Sequence, residues 1–304
     1  MGHNFRHRGL TLQALSLLAV AIFGWGVSWP FLKIALFEIP PWTFRGLIAP
    51  TAVLLMILIG LALRIEISRP KGQWREIILA AFLNITIWHV FSAFGIRLLS
   101  GGQASIIAYT MPLWAVTLSI FFIGEKPTAS RISGLVIGMG GLAVLLSGEL
   151  GIIKSAPLGA VFMLIAAISW GAGTVVQKKV KWQISALSLV VWQLIIGGLP
   201  ITLIAIILET PNWQSFSWQA IGSTIFILFV PIILSWFAWF KVITMVPVSI
   251  SAVSTLLVPI LGVISSNLVL GEVIGWREIV SLLLICSALT LVLIPSSTSS
   301  GTSK

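Results

Sequence analysis

An all-α polytopic membrane protein, with ten transmembrane helices set as two inverted five-helix repeats around a central cavity, is the fold class this sequence predicts. Three observations predict it. Only 9% of the 304 residues are charged, against 58% hydrophobic, whereas a soluble domain carries about 25% charged residues. The charges are spaced so that they leave ten stretches nearly free of them, each close to the roughly 20 apolar residues an α-helix needs to cross the hydrocarbon core. Short motifs also recur, 147 residues apart, in the two halves of the chain.

The expected spans, in order, are 10–36, 42–63, 75–97, 102–123, 129–148, 156–178, 184–208, 217–241, 248–270 and 276–295. The joins are short and hold turn or breaker residues, such as Pro40-Pro41, Arg69-Pro70-Lys71-Gly72, Ser100-Gly101-Gly102 and Glu125-Lys126-Pro127. Backbone groups in lipid must bond within their own segment, so these stretches are helices. A β-barrel would alternate apolar and polar residues in runs of about ten, and no such run is visible. The first span follows a short basic segment, Met1–Gly9, and is read as retained rather than cleaved as a signal peptide.

The net charge of +10 does not point to nucleic acid, because the basic residues are dispersed between apolar runs. They read instead as topology determinants. With the N-terminus in the cytoplasm, Arg6, Arg8, Arg64, Arg69, Lys71, Arg75, Lys126, Arg131, Lys178, Lys179, Lys181, Lys241 and Lys304 all fall inside. Lys33, Arg45, Arg97, Lys154 and Arg277 then lie at the outer edge. Both termini are expected in the cytoplasm of a bacterial-type inner membrane. Trp42, Trp74, Trp182, Trp213, Trp218 and Trp276 sit near span ends, where indole rings anchor at the lipid interface.

The repeat divides the chain into residues 1–150 and 151–304. Tyr109-Thr-Met-Pro112 followed by Gly124-Glu125 recurs as Leu256-Leu-Val-Pro259 followed by Gly271-Glu272. Phe23-Gly24-Trp25-Gly26 matches Ile168-Ser169-Trp170-Gly171. Five spans per half is an odd number, so the second half enters the membrane from the opposite side. Inverted repeats of this kind typify secondary transporters that bind substrate near the midplane.

These features together resemble the drug/metabolite transporter superfamily, and within it the EamA-type members: Trp-Gly in the first span of each half, Pro within the fourth, and Gly-Glu at its end. The resemblance implies a basket of ten helices with a cavity lined mainly by spans 1, 3, 4, 6, 8 and 9. The aromatic content, Tyr109 and His89 look most similar to the aromatic amino acid exporters of that family. The second half lacks counterparts of Tyr109 and Arg45, which places substrate chemistry unevenly between the halves.

The candidate substrate residues are His89, Tyr109, Trp25, Trp170, Thr174, Ser251 and Trp239, and the candidate gates or hinges are Pro112, Pro259, Glu125 and Glu272. His89 lies mid-span on a polar stripe with Thr86 and Ser92. An ionisable group at that depth faces a cavity or a partner helix, and both readings stand. A proton-carrier role is disfavoured, because no carboxylate lies deep in a span. Tyr109, the single tyrosine, sits one turn before Pro112, which frees the carbonyl of Ala108. Pro259 should free that of Thr255, beside Ser251 and Ser254. Trp25, Ser28 and Trp29 share one face, as do Trp170, Thr174 and Gln177, and Ser235 with Trp239. Converging, they would make an aromatic cavity suited to flat solutes. Arg45 and Lys33 can attract a substrate carboxylate, but snorkelling to head groups is the expectation. Glu125 and Glu272 are read as pairing with loop cations on opposite faces. Gly134, Gly138 and Gly141 form a small-residue packing seam, read as internal to a monomer.

The leading function is export of small metabolites, aromatic amino acids (Phe, Trp, Tyr) above all, by alternating access, with lipid and substrate as the only partners. No cofactor is implied. No G-x-x-x-x-G-K-[ST] loop is present. The histidines are His3, His7 and His89 and the one cysteine is Cys286, so neither a metal site nor an intramembrane enzyme is supported. A nucleotide-sugar carrier would gather cations for phosphates, and a cationic-drug exporter would bury a Glu; neither is seen. A channel remains the alternative that saturable flux would exclude.

Overall fold

The computed structural model describes residues 11–62, 64–124, 128–147, 156–242, 245 and 254–293. Every regular element among them is helical. In order these are α1 (Leu12–Glu38), α2 (Pro41–Ala62), α3 (Trp74–Leu98), α4 (Gly101–Ile123), α5 (Ala129–Leu146), α6 (Ala156–Lys179), α7 (Ala186–Leu208), α8 (Trp218–Ile227, Leu228–Leu234 and Ser235–Val242), α9 (Leu257–Leu270) and α10 (Trp276–Leu293). Among the described residues, seven helices are long and apolar enough to cross a membrane, and Ala129–Leu145 and Leu257–Leu270 are shorter apolar ones.

The helix starts are written locally. Thr11, Thr128, Ser185 and Ser217 each turn a hydroxyl onto a backbone N–H of the first turn, and Ser100 with Gln103 forms a reciprocal capping box. Such caps satisfy donors that the helix itself leaves unpaired. Gly124 and Gly271 end α4 and α9 with φ of +75° and +68°, the left-handed turn that glycine adopts without penalty. The outer surfaces remain apolar: Leu268, Ile207, Phe121 and Trp218 are among the exposed residues, as expected where lipid is the solvent. Trp74, Trp213, Trp218 and Trp276 are also on that surface.

Packing follows a simple scheme. α2 lies along α7, and α5 along α10, as two outer pairs. α1 runs along α8 and α9, while α6 runs along α3 and α4. Each half therefore inserts its first helix between two helices of the other.

The interruptions recur too. α3 carries a π-helical stretch, Phe82–Ile87, and α8 carries one, Leu228–Leu234, one repeat interval later. α4 is broken at Tyr109-Thr110, and the turn Thr255-Leu256 precedes α9 at the matching place. Pro112 sits in the first turn after the α4 break. The expected free carbonyl of Thr255 is not seen: it accepts from the Val258 N–H at 3.1 Å, because the chain tightens into a turn there instead of leaving the group open.

One end of the bundle joins residues 33–43, 96–103, 209–217 and 272–278 through hydrogen bonds, and is called here the glutamate face. The opposite end, the basic face, joins 68–73 to 181–192 and 130 to 291.

Candidate functional site

The two Trp-Gly motifs hold the halves together. A Cβ on Gly26 would overlap the Cβ of Leu261 on α9, and one on Gly171 would come 2.8 Å from the Ala115 backbone nitrogen on α4. Only glycine lets the helices approach this closely.

A residue just before each glycine, Trp25 next to Gly26 and Ser169 two before Gly171, then closes onto a π-helical stretch of the other half. The Trp25 indole N–H donates to the Pro231 carbonyl at 3.2 Å, and the Ser169 hydroxyl donates to the Leu83 carbonyl. A π-helical turn loosens the regular backbone ladder, and such turns concentrate at functional sites. Here both are stitched across the interface by a side chain.

Around these contacts sit two tryptophan clusters. Trp25 meets Trp236 edge-on at 5.6 Å between centroids and Trp239 at 5.3 Å. Trp170 meets Trp88 at 5.0 Å. Trp170 stands at the repeat position of Trp25, and Trp88 at that of Ser235, one residue before Trp236. Tyr109, Trp25 and Trp239 all pack against one buried cluster that includes Leu18, Ile22 and Val258. The Tyr109 hydroxyl makes no hydrogen bond among the described residues, and the His89 Nδ1 is buried without a partner.

The structure thus brings Trp25, Trp239 and Tyr109 together and places Trp170 with Trp88. Thr174 is exposed, and its hydroxyl is taken by the Trp170 carbonyl of its own helix at 2.9 Å. Trp29 is a packing residue, 6% exposed against Gly262. Ser251 and Glu125 lie outside the described residues. Thr86 and Ser92, the polar companions of His89, turn to helices α7 and α2 through the Gly197 carbonyl and the Arg45 guanidinium.

The snorkelling expectation for Arg45 is corrected. Its side chain is 7% exposed and reaches into the bundle. Nε donates to the His89 carbonyl at 3.0 Å and Nη2 to the Ser92 hydroxyl at 3.1 Å. Lys33 likewise does not reach for head groups: its ammonium donates to the carbonyls of Ile96, Arg97 and Leu99 at 2.6–3.0 Å. These three carbonyls end α3, where a cation complements the helix dipole. Lys33→Met is expected to cost roughly 1–3 kcal/mol through the lost charged hydrogen bonds, read as a lower melting temperature of the detergent-purified protein.

Three carboxylates seal the same face. Glu272 accepts from the N–H groups of Gly101 and Gly102 at 2.7 and 3.1 Å. Glu209 accepts from the Thr43 N–H and hydroxyl at 2.6 and 2.7 Å. Glu38 accepts from the Ser217 N–H and hydroxyl at 2.7 and 2.6 Å. Each anion sits on the positive N-terminus of another helix, so the interactions are charge-assisted. Glu272 therefore hydrogen-bonds to backbone donors, and among the described residues no loop cation forms an ion pair with it. Glu38 and Glu209 were missed by sequence reasoning. Their signal is a lone acid closing one span just before, or opposite to, the capped start of another.

A cavity of about 740 Å³ opens toward the basic face between α3, α4 and α6. Its walls are apolar, from Leu79, Leu83, Leu118, Phe122 and Val176 among others, and Gln73, Arg75, Glu76 and Lys179 stand at its mouth. None of the candidate substrate residues lines it, although Leu83 and Ala172 place its inner end next to the Ser169–Leu83 contact. A mid-bundle polar pair, Asn84 with Gln193 at 3.4 Å, also lay outside the sequence reading. Asn84 Oδ1 is unpartnered and pressed on Gly173.

A helical bundle with apolar outer surfaces and capped, short-looped rods defines a polytopic membrane protein. The chain belongs to the EamA-like transporter family, whose sequence profile matches residues 12–147 and again 157–294. It is 31% identical over 278 residues to the uncharacterized transporter YvbV of Bacillus subtilis (strain 168), covering 91% of this chain and 90% of that one. It is 27% identical over 295 residues to a probable amino-acid metabolite efflux pump of Salmonella typhimurium (90% and 92% covered), and 26% identical over 286 residues to one of Escherichia coli K12 (90% and 92%). A solved crystal structure shares the fold with a TM-score of 0.66 at 18% identity, over 91% of this chain and 95% of its own.

Proposed function

We propose that this transporter exports small metabolites, aromatic amino acids above all, across a bacterial inner membrane by alternating access. In this reading all ten helices cross the bilayer, the two halves are inverted repeats, and both termini are cytoplasmic. The glutamate face is then the outer face. The observation that carries the reading is the pair of tryptophan clusters across the two halves, with the Tyr109 hydroxyl beside one and the His89 ring nitrogen next to the other, neither having a partner among the described residues. Indole and phenol faces stack on flat solutes, and unpaired polar atoms at membrane depth are costly unless a ligand or water meets them. The names of the Salmonella and Escherichia coli relatives support an amino-acid-derived solute. Carboxylate seals on the outer face and an apolar cavity at the basic face fit a carrier open toward the cytoplasm. Pro112, Pro259 and the turns beside them are the hinges of the exchange, with Glu272 as a gate.

The test is counterflow of labelled phenylalanine, tryptophan and tyrosine in proteoliposomes, beside a panel of aliphatic amino acids, with and without a pH gradient. Saturable flux of the aromatic set is expected. His89→Ala and Tyr109→Phe each should lower that flux about tenfold, the equivalent of one lost hydrogen bond of about 1.4 kcal/mol, at unchanged membrane abundance. Equal flux of aliphatic and aromatic solutes, or full activity in both variants, would refute the assignment.

A further inference from the structure

We infer that Arg45 is a carboxylate-binding group, so that the solute carried is a carboxylic acid or amino acid held by its acid end. The inference deepens the transport reading above and rests on it.

The argument begins with depth. Arg45 lies one turn into α2, about 6 Å below its first residue at 1.5 Å per residue. An arginine so close to the interface gains most by extending outward to water and head groups. This one runs the other way, to the carbonyl of His89, which lies about 13 Å along α3 from the end of that helix. A cation is thus carried inward, and among the described residues no carboxylate pairs with it.

The hydrogen bonds then show which part of the guanidinium is committed. Guanidinium presents five N–H donors in a rigid fork. The edge made by Nε and Nη2 is docked on α3, through the His89 carbonyl and the Ser92 hydroxyl. Both partners are neutral, so they orient the group without cancelling its charge. The other edge, Nη1 with the second N–H of Nη2, has no acceptor among the described residues. That edge has the geometry of a two-point carboxylate clamp. The same turn of α3 holds the orphaned, buried Nδ1 of His89. A free charged edge and an unpaired ring nitrogen on adjoining groups suit an anionic ligand that also forms hydrogen bonds. The second half has no counterpart, which is how a solute with one charged end is read by a pseudo-symmetric cavity.

The experiment compares purified wild-type protein with Arg45→Gln and Arg45→Lys, titrated with L-phenylalanine, 3-phenylpropionate, phenethylamine and L-leucine by thermal shift. Phenylalanine and phenylpropionate should stabilise the wild type, and Arg45→Gln should weaken both by tenfold or more. Arg45→Lys, which keeps charge but not the fork, should fall between, and any response to phenethylamine should not change. Wild-type-like binding of phenylpropionate by Arg45→Gln, or an equal loss for phenethylamine, overturns the inference and leaves the transport reading standing. A wild-type response to leucine alone, lost in Arg45→Gln, keeps the carboxylate site and overturns the aromatic reading. No response of the wild type to any carboxylate overturns both. Where Arg45→Gln does not reach the membrane, phenylglyoxal modification of Arg45 in the wild type is followed by peptide mass spectrometry. Protection by phenylpropionate but not phenethylamine supports the site, and equal labelling with and without it rejects the site.

Discussion

Gly171→Val is expected to drive α4 and α6 apart and to remove most folded protein from the membrane. A Cβ at this position meets the Ala115 nitrogen at 2.8 Å, the Trp114 Cβ at 2.9 Å and the Met111 carbonyl at 3.0 Å. Two of these are backbone atoms of the helix restarting after its break, so no side-chain rotation relieves the clash. Overpacking at such a contact costs about 1–3 kcal/mol, and valine adds two methyl groups beyond the Cβ. The damage extends to the site, because the adjacent Trp170 on α6 packs against Trp88 of α3 at 5.0 Å. Gly140 is the control: nothing lies within 4 Å of its Cβ position, and alanine in a helix interior gains up to about 1 kcal/mol over glycine. The measurement is the monodisperse fraction left after heating detergent extracts. Gly171→Val should melt far below the wild type and Gly140→Ala at or above it. A Gly171→Val protein as stable as the wild type would mean that the motif does not set the spacing of the helices.

Much of this arrangement was legible in the residues. Pro112 and Pro259 marked the places where the chain breaks, because proline cannot complete a helical ladder, and Gly124 and Gly271 marked the ends. The Trp-Gly pairs pointed to equivalent positions in the two halves. What they touch was not legible, since close approach depends on a partner far along the chain, Leu261 for Gly26 and Ala115 for Gly171. The π-helical stretches were also hidden. Only Pro231 disturbs either one, and Phe82–Ile87 reads as an ordinary apolar helix. Their hydrogen bonds to Trp25 and Ser169 come from tertiary packing. Arg45 was misread for a similar reason. An arginine near a span end snorkels by default, and only the neighbouring carbonyl of His89 and hydroxyl of Ser92 reveal that it turns inward. His89 stood out as an ionisable group within a span, and the stripe it shares with Thr86 and Ser92 serves helix packing at those two positions.

Glu272→Ala is expected to loosen the glutamate face and to shift the protein toward a state open there. The carboxylate holds the first two N–H groups of α4 at 2.7 and 3.1 Å, and alanine offers neither acceptor nor charge. Hydrogen bonds to a charged group are worth about 1.5–3 kcal/mol each, so loss of the pair removes about 3 kcal/mol or more from the closed state. The closed-to-open ratio then falls roughly 100-fold, at tenfold per 1.4 kcal/mol, provided the contact is absent when the face opens. The change reaches beyond one helix end. Asn267 donates to the Glu272 carbonyl at 2.7 Å, so the residue whose carboxylate holds the start of α4 is itself anchored to the end of α9. A thiol beneath the seal reports the opening. Ser105 is fully buried one turn below Gly101 and packs on Gly262. With Cys286→Ser removing the native thiol, a Ser105→Cys protein should react slowly with an impermeant maleimide applied to whole cells. Adding Glu272→Ala should raise that rate by an order of magnitude or more. Glu272→Gln keeps an acceptor without the charge and should lie between. Equal labelling in all three would show that the carboxylate merely caps α4 and that the face is held by other contacts, Glu38, Glu209 and Lys33 first among them.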